Sequence, residues 1–136
     1  MYIFSYGLLM FPVVWARVVR GDYRSTEATI QGFRRVRVRD RQHPALIVSA
    51  NATPIMGRLY YDVSAADVAR LDHFKTSSYA RVAIAVTVHD HAVSAQSYLA
   101  LNVDSLLYDE WSVAKFEQHG LPILNATYVV ENLPPQ

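Results

Sequence analysis

Runs of β-branched and aromatic residues outnumber helical stretches in this chain, and the two kinds do not alternate. Strands are expected over 2–6, 28–33, 35–39, 45–49, 55–62, 79–88 and 92–101. Helices are expected over 12–19, with Pro12 in the first turn, over 65–74 and over 109–119. Gly32, residues 40–42 and Pro44 break the middle strands, and HDH at 89–91 reads as a hairpin. Ser64 is placed as an N-cap, with Asp67 three residues on as a weakened capping box. A doubly wound sheet needs strands and helices in regular succession. This pattern instead predicts an α+β domain, a small mixed β-barrel or strongly curved sheet flanked by helices.

Composition limits what such a domain can carry. With 136 residues, 51% of them hydrophobic, residues 1–136 make one domain with one core, and 131–136 read as a frayed tail. A formal charge of +1 gives no global attraction to nucleic acid or anionic membrane, so neither is expected as a partner. The absence of cysteine excludes disulfides, thiolate zinc sites and a cysteine nucleophile. The apolar opening is interrupted by Gly7 and Pro12 and reads as a first strand, and no apolar run approaches the roughly 20 residues of a membrane span. The expectation is a cytoplasmic protein of open oligomeric state. His89 and His91 alternate as metal ligands might, but no third ligand accompanies them, and no metal or cofactor is expected.

Two stretches carry chemistry. In Tyr6-Gly7-Leu8-Leu9 a strand runs into a glycine turn just before a helix, and backbone N–H groups there can hold a carboxylate or oxyanion. In LDHFK, helical spacing places Lys75 with Val68 and Leu71 on the core-facing side. A buried ammonium must pair, snorkel or face a cavity, and Asp72, three residues earlier, is a ready helical partner. Tyr79 and Arg81 share a face of the next strand, as cavity wall or as core tyrosine and paired surface arginine. Arg35, Arg37, Arg39 and Arg41 share another face opposite Val36 and Val38. That face reads either as a solvated edge strand or as a surface for an anionic partner.

The ordered series YGLL, QGF, MGRLYYDV, LDHFK and YAR resembles the γ-glutamylcyclotransferase-like family over roughly residues 2–99. The resemblance implies a small barrel flanked by helices, with the Tyr-Gly turn lining a cavity. It also implies a γ-glutamyl substrate whose amine attacks the γ-carbonyl and releases 5-oxoproline, an acyl-transfer reaction with a glutamate as base. By the same resemblance Tyr6, Gly7, Leu8 and Leu9 would hold substrate oxygens; Tyr79 and Tyr98, on the strands of such a barrel, are read as further residues of the cavity lining. The family's helix ends Leu-Asp-x-Phe-Glu, whereas here Lys75 stands at the glutamate's position. An ammonium there inverts the charge that a substrate ammonium meets, so the family mechanism cannot run unchanged. Three functions are therefore carried forward. The first is an enzyme acting on γ-glutamyl or similar acyl/amine compounds, and the second a module that binds a small anionic ligand without turnover. The third is an interaction protein using the Arg35–Arg41 face.

Overall fold

The computed structural model describes residues 1–41, 44–101 and 106–120. In chain order the elements are β1 (Ile3–Ser5), a 3-10 turn (Leu8–Met10), α1 (Pro12–Val18), β2 (Ser25–Ile30), β3 (Phe33–Val38) and β4 (Pro44–Val48). They continue with β5 (Ile55–Tyr60), α2 (Ala65–Lys75), β6 (Tyr79–Val88), β7 (His91–Ala100), β8 (Leu106–Glu110) and α3 (Val113–Lys115). Strands β1-β5-β2-β6-β7 close into a barrel, and β4-β3-β8 form a second sheet. The barrel is mixed: β1 runs antiparallel to β5 but parallel to β7, pairing Ile3 with Gln96. The expected barrel thus forms, with a three-stranded layer added to it.

Local chemistry accounts for several joints. The β6–β7 hairpin turns on His89 and Asp90, both at positive φ (47° and 67°), so that Val88 pairs with His91. Two left-handed residues give the turn whose twist matches the flanking strands. Gly57 lies where β5 crosses β1 so closely that an added Cβ would stand 2.3 Å from the Ser5 carbonyl oxygen.

The cap of α2 does more than start a helix. Ser64 Oγ accepts from the Asp67 N–H at 3.2 Å, as expected, but the Asp67 carboxylate turns to the segment after α1. It accepts from the N–H groups of Arg20 and Gly21, from the Tyr23 hydroxyl and from Arg70. Burial works to raise the Asp67 carboxyl. The bonds from Tyr23, Gly21, Arg20 and Arg70 outweigh it and hold the group at about 2. Asp67→Asn keeps the shape but offers an NH2 to donors, and should cost about 2–3 kcal/mol in urea unfolding. A folded pKa below the unfolded one gives stability that is present above pH 3.8 and lost as pH falls through about 2. The difference between wild type and variant should therefore shrink over that window, and equal midpoints at pH 7 would contradict this role.

Two expectations need correction. Residues 109–119 are not one helix: Asp109 and Glu110 finish β8, where Glu110 pairs with Val36, and Ser112 caps a helix that starts only at Val113. Pairing with β3 overrides the helical spacing, and Ala114, expected on the apolar side, is exposed. Nor do the four arginines share an edge-strand face. β3 is the central strand of its sheet and ends at Val38, and Asp40 at φ 58° leads into a turn that takes Arg39 and Arg41 off the strand. Arg37 pairs with Asp109 at 3.0 Å, and Arg35 points at the barrel. The expected break at Gln42 and everything expected beyond residue 120, the tail included, lie outside the described residues.

Candidate functional site

The turn after β1 is held by its carbonyls. Arg35 Nη1 donates to the Tyr6 oxygen at 2.9 Å, and the Met10 and Phe11 N–H groups donate to Gly7 and Leu8 at 3.0 and 3.2 Å. The Tyr60 hydroxyl, whose pKa burial pushes up to about 12, donates to Leu9 at 2.7 Å. All four acceptors of Tyr6–Leu9 are thus engaged. The N–H groups of Gly7, Leu8 and Leu9 donate to no acceptor among the described residues. The Leu8 and Leu9 side chains are buried in the core, which anchors the turn from beneath. Gly7 abuts the second sheet, and a Cβ there would lie 2.7 Å from Pro44. The result is a rigid turn with free donors, which has the chemistry to receive an oxyanion or carboxylate.

α2 delivers Lys75 to the first residue of that turn. Lys75 is only 7% exposed, and its Nζ lies 5.5 Å from the ring centroid of Tyr6, 5.0 Å from Tyr79 and 5.6 Å from Tyr98. The residues proposed from sequence to line the site, Tyr79 and Tyr98 with Tyr6, therefore meet around one ammonium. Their hydroxyls are aimed elsewhere: Tyr6 donates to the Tyr98 carbonyl, Tyr79 to the Pro44 carbonyl and Tyr98 to Asp72. Burial raises the pKa of all three, so they stay neutral as ring faces.

The helical pair between Asp72 and Lys75 does not form. Asp72 Oδ1 instead accepts from Arg81 Nε at 3.0 Å and from the Tyr98 hydroxyl at 2.6 Å, both from barrel strands. Arg81 is accordingly the paired surface arginine of the two readings. Among the described residues no carboxylate lies within ion-pair distance of Lys75, and burial pushes its ammonium down to about 8. The rings compensate part of the desolvation.

Arg35 was missed as a neighbour of the turn. Its alternation with Val36 looks like a solvent face, and the only hint in the sequence was an arginine two residues after QGF, at the start of a strand. Metal sites are not indicated: no group of three or more potential ligands occurs among the described residues. Among those residues no helix is long and apolar enough to cross a membrane.

Comparisons with known proteins agree with this architecture. The family model described as gamma-glutamyl cyclotransferase, AIG2-like, matches residues 3–113. Protein AIG2 C of Arabidopsis thaliana is 27% identical over 112 residues, covering 80% of this chain and 67% of the relative. A solution structure of an Arabidopsis thaliana protein superposes with a TM-score of 0.71 at 22% identity, covering 93% of this chain and 78% of the other. A structure titled gamma-glutamyl cyclotransferase gives 0.64 at 16% identity, covering 99% and 88%. With a family match over most of its length and the same barrel in its structural relatives, this chain belongs to the gamma-glutamyl cyclotransferase, AIG2-like family.

Proposed function

We propose that this γ-glutamylcyclotransferase-like protein takes up a small compound with an anionic group, of the γ-glutamyl or a similar acyl/amine kind, at the Tyr6–Leu9 turn and Lys75. One observation carries this: an ammonium buried among three tyrosine rings, with no carboxylate within ion-pair distance among the described residues. A buried charge without a counter-charge is costly, and an anion that reaches it gains what the ammonium lacks. The free N–H groups of Gly7, Leu8 and Leu9 supply further donors at the same turn.

Release of 5-oxoproline, the family's acyl-transfer reaction, does not follow by the family's route. A cyclising amine must lose its proton to a base, and at pH 7 Lys75, at about 8, is mostly protonated. It therefore repels a substrate ammonium rather than accepting its proton. The second reading, a lysine base, draws on the same value: with Asp72 committed to Arg81 and Tyr98, the amine is neutral above pH 8.

The test is 5-oxoproline release across a panel of γ-glutamyl compounds at pH 7 and 9. Wild type should be flat at pH 7, and Lys75→Glu, which returns a carboxylate to that position, should gain release. Release by wild type that rises through pH 8 and disappears in Lys75→Met would establish the lysine base instead. A flat result for Lys75→Glu, with the fold intact by circular dichroism, would remove γ-glutamyl compounds from the proposal.

A further inference from the structure

The second sheet lays one face against the turn, and Arg35 is the side chain that reaches it. Its Nη1 donates to the Tyr6 carbonyl at 2.9 Å and, at 3.4 Å, to the Met56 carbonyl, while the guanidinium lies 5.4 Å from the Trp111 ring centroid. Those contacts fix the plane of the group and occupy one nitrogen. Nε and Nη2 donate to nothing among the described residues. Nε is moreover the one buried side-chain nitrogen or oxygen among those residues without a partner. Buried polar atoms are paired almost without exception, so an orphaned one marks a place where a partner belongs. The charge of Glu110 acts on Arg35, but that carboxylate does not come within ion-pair distance.

The unpaired edge has a definite shape. Two parallel N–H groups match the two oxygens of a carboxylate or phosphate, which a lysine ammonium cannot do. Lys75 approaches the ring of the same Tyr6 whose carbonyl Arg35 holds, so one residue of the turn has at each end a cation with no carboxylate within ion-pair distance among the described residues. We propose that the Nε–Nη2 edge of Arg35 is a second anion subsite beside the turn, so that the compound held there carries two acidic groups, one at Lys75 and one at this edge. The inference rests on the reading of Lys75 given above and extends it to the ligand's charge.

Calorimetric titration of the full chain with butyrate and with succinate, glutarate and adipate tests it. One dicarboxylate length should bind at least about tenfold tighter than butyrate, the size of one good charge-assisted contact. Arg35→Lys should abolish the preference, so that the variant binds that dicarboxylate and butyrate equally well. Lys75→Met should lose both. Butyrate binding that depends on Lys75, with no dicarboxylate preference or with a preference that survives Arg35→Lys, overturns the second subsite and leaves the Lys75 reading standing. No binding by any probe overturns both. If Arg35→Lys does not fold, the Arg35 Nε–H resonance of wild type decides. The preferred dicarboxylate should shift it and butyrate should not, and an unmoved resonance overturns the subsite.

Discussion

Lys75→Met should stabilise the protein at pH 7 by about 2 kcal/mol, which raises Tm by roughly 5–10 °C for a domain of this size. The side chain keeps its length and its contacts with Tyr6, Tyr79 and Tyr98 but no longer carries a proton into a buried site. A fall from 10.5 to about 8 corresponds to on the order of 3 kcal/mol, and the lost cation–π attraction returns part of that. The sign fixes the pH dependence. Between pH 8 and 10.5 the unfolded chain holds a proton on Lys75 that the folded protein has released, so wild-type stability rises with pH. Lys75→Met should lack that rise. Above about pH 10 the buried tyrosines act oppositely: the unfolded chain loses protons that Tyr6, Tyr60, Tyr79 and Tyr98 keep when folded, and stability falls in both proteins. Urea midpoints of both proteins at pH 7, 9 and 10 read these slopes directly. A variant less stable than wild type at pH 7 would mean that Lys75 has a counter-charge.

The largest loss is expected from Gly57→Ala, about 3–5 kcal/mol. Its Cβ would lie 2.3 Å from the Ser5 carbonyl oxygen and 2.5 Å from Phe4 Cζ. Phe4 is itself packed in the core, and Ser5 is held by the β1–β5 register that pairs it with Arg58. Relief must come from parting the two strands. Because β1 leads into the Tyr6–Leu9 turn and Met56 shares Arg35 with that turn, the same displacement disturbs the N–H groups of Gly7, Leu8 and Leu9. Anion-dependent stabilisation should weaken along with the urea midpoint. An unchanged midpoint would mean that β5 does not pass β1 at this distance.

What could be read from the sequence was what local chemistry decides. Serine and aspartate three residues apart capped α2, HDH made a hairpin, and helical spacing aimed Lys75 inward, where it is found. The turn at Gly7 was legible for the same reason. What escaped depends on which distant element arrives. Asp72 looked like the partner of Lys75 on helical spacing, yet Arg81 and Tyr98 from the barrel outbid a lysine on the same helix. Arg35 alternates with Val36 in a way that signals solvent, and only the docking of the second sheet on the barrel brings this one residue of the face to the Tyr6 carbonyl. Residues 109–110 suit a helix until β3 offers them a strand partner. Lysine where the resemblance expects glutamate was visible only against that resemblance; geometry then added that Lys75 has no carboxylate beside it among the described residues.

The most direct measurement is the titration of Lys75 itself, followed by NMR of its side-chain Cε with and without butyrate. The expected midpoint is near 8, and the anion should move it upward, because a counter-charge favours the ammonium. A midpoint at the ordinary lysine value of 10.5 that does not respond to the anion would contradict a buried cation with no counter-charge among the described residues.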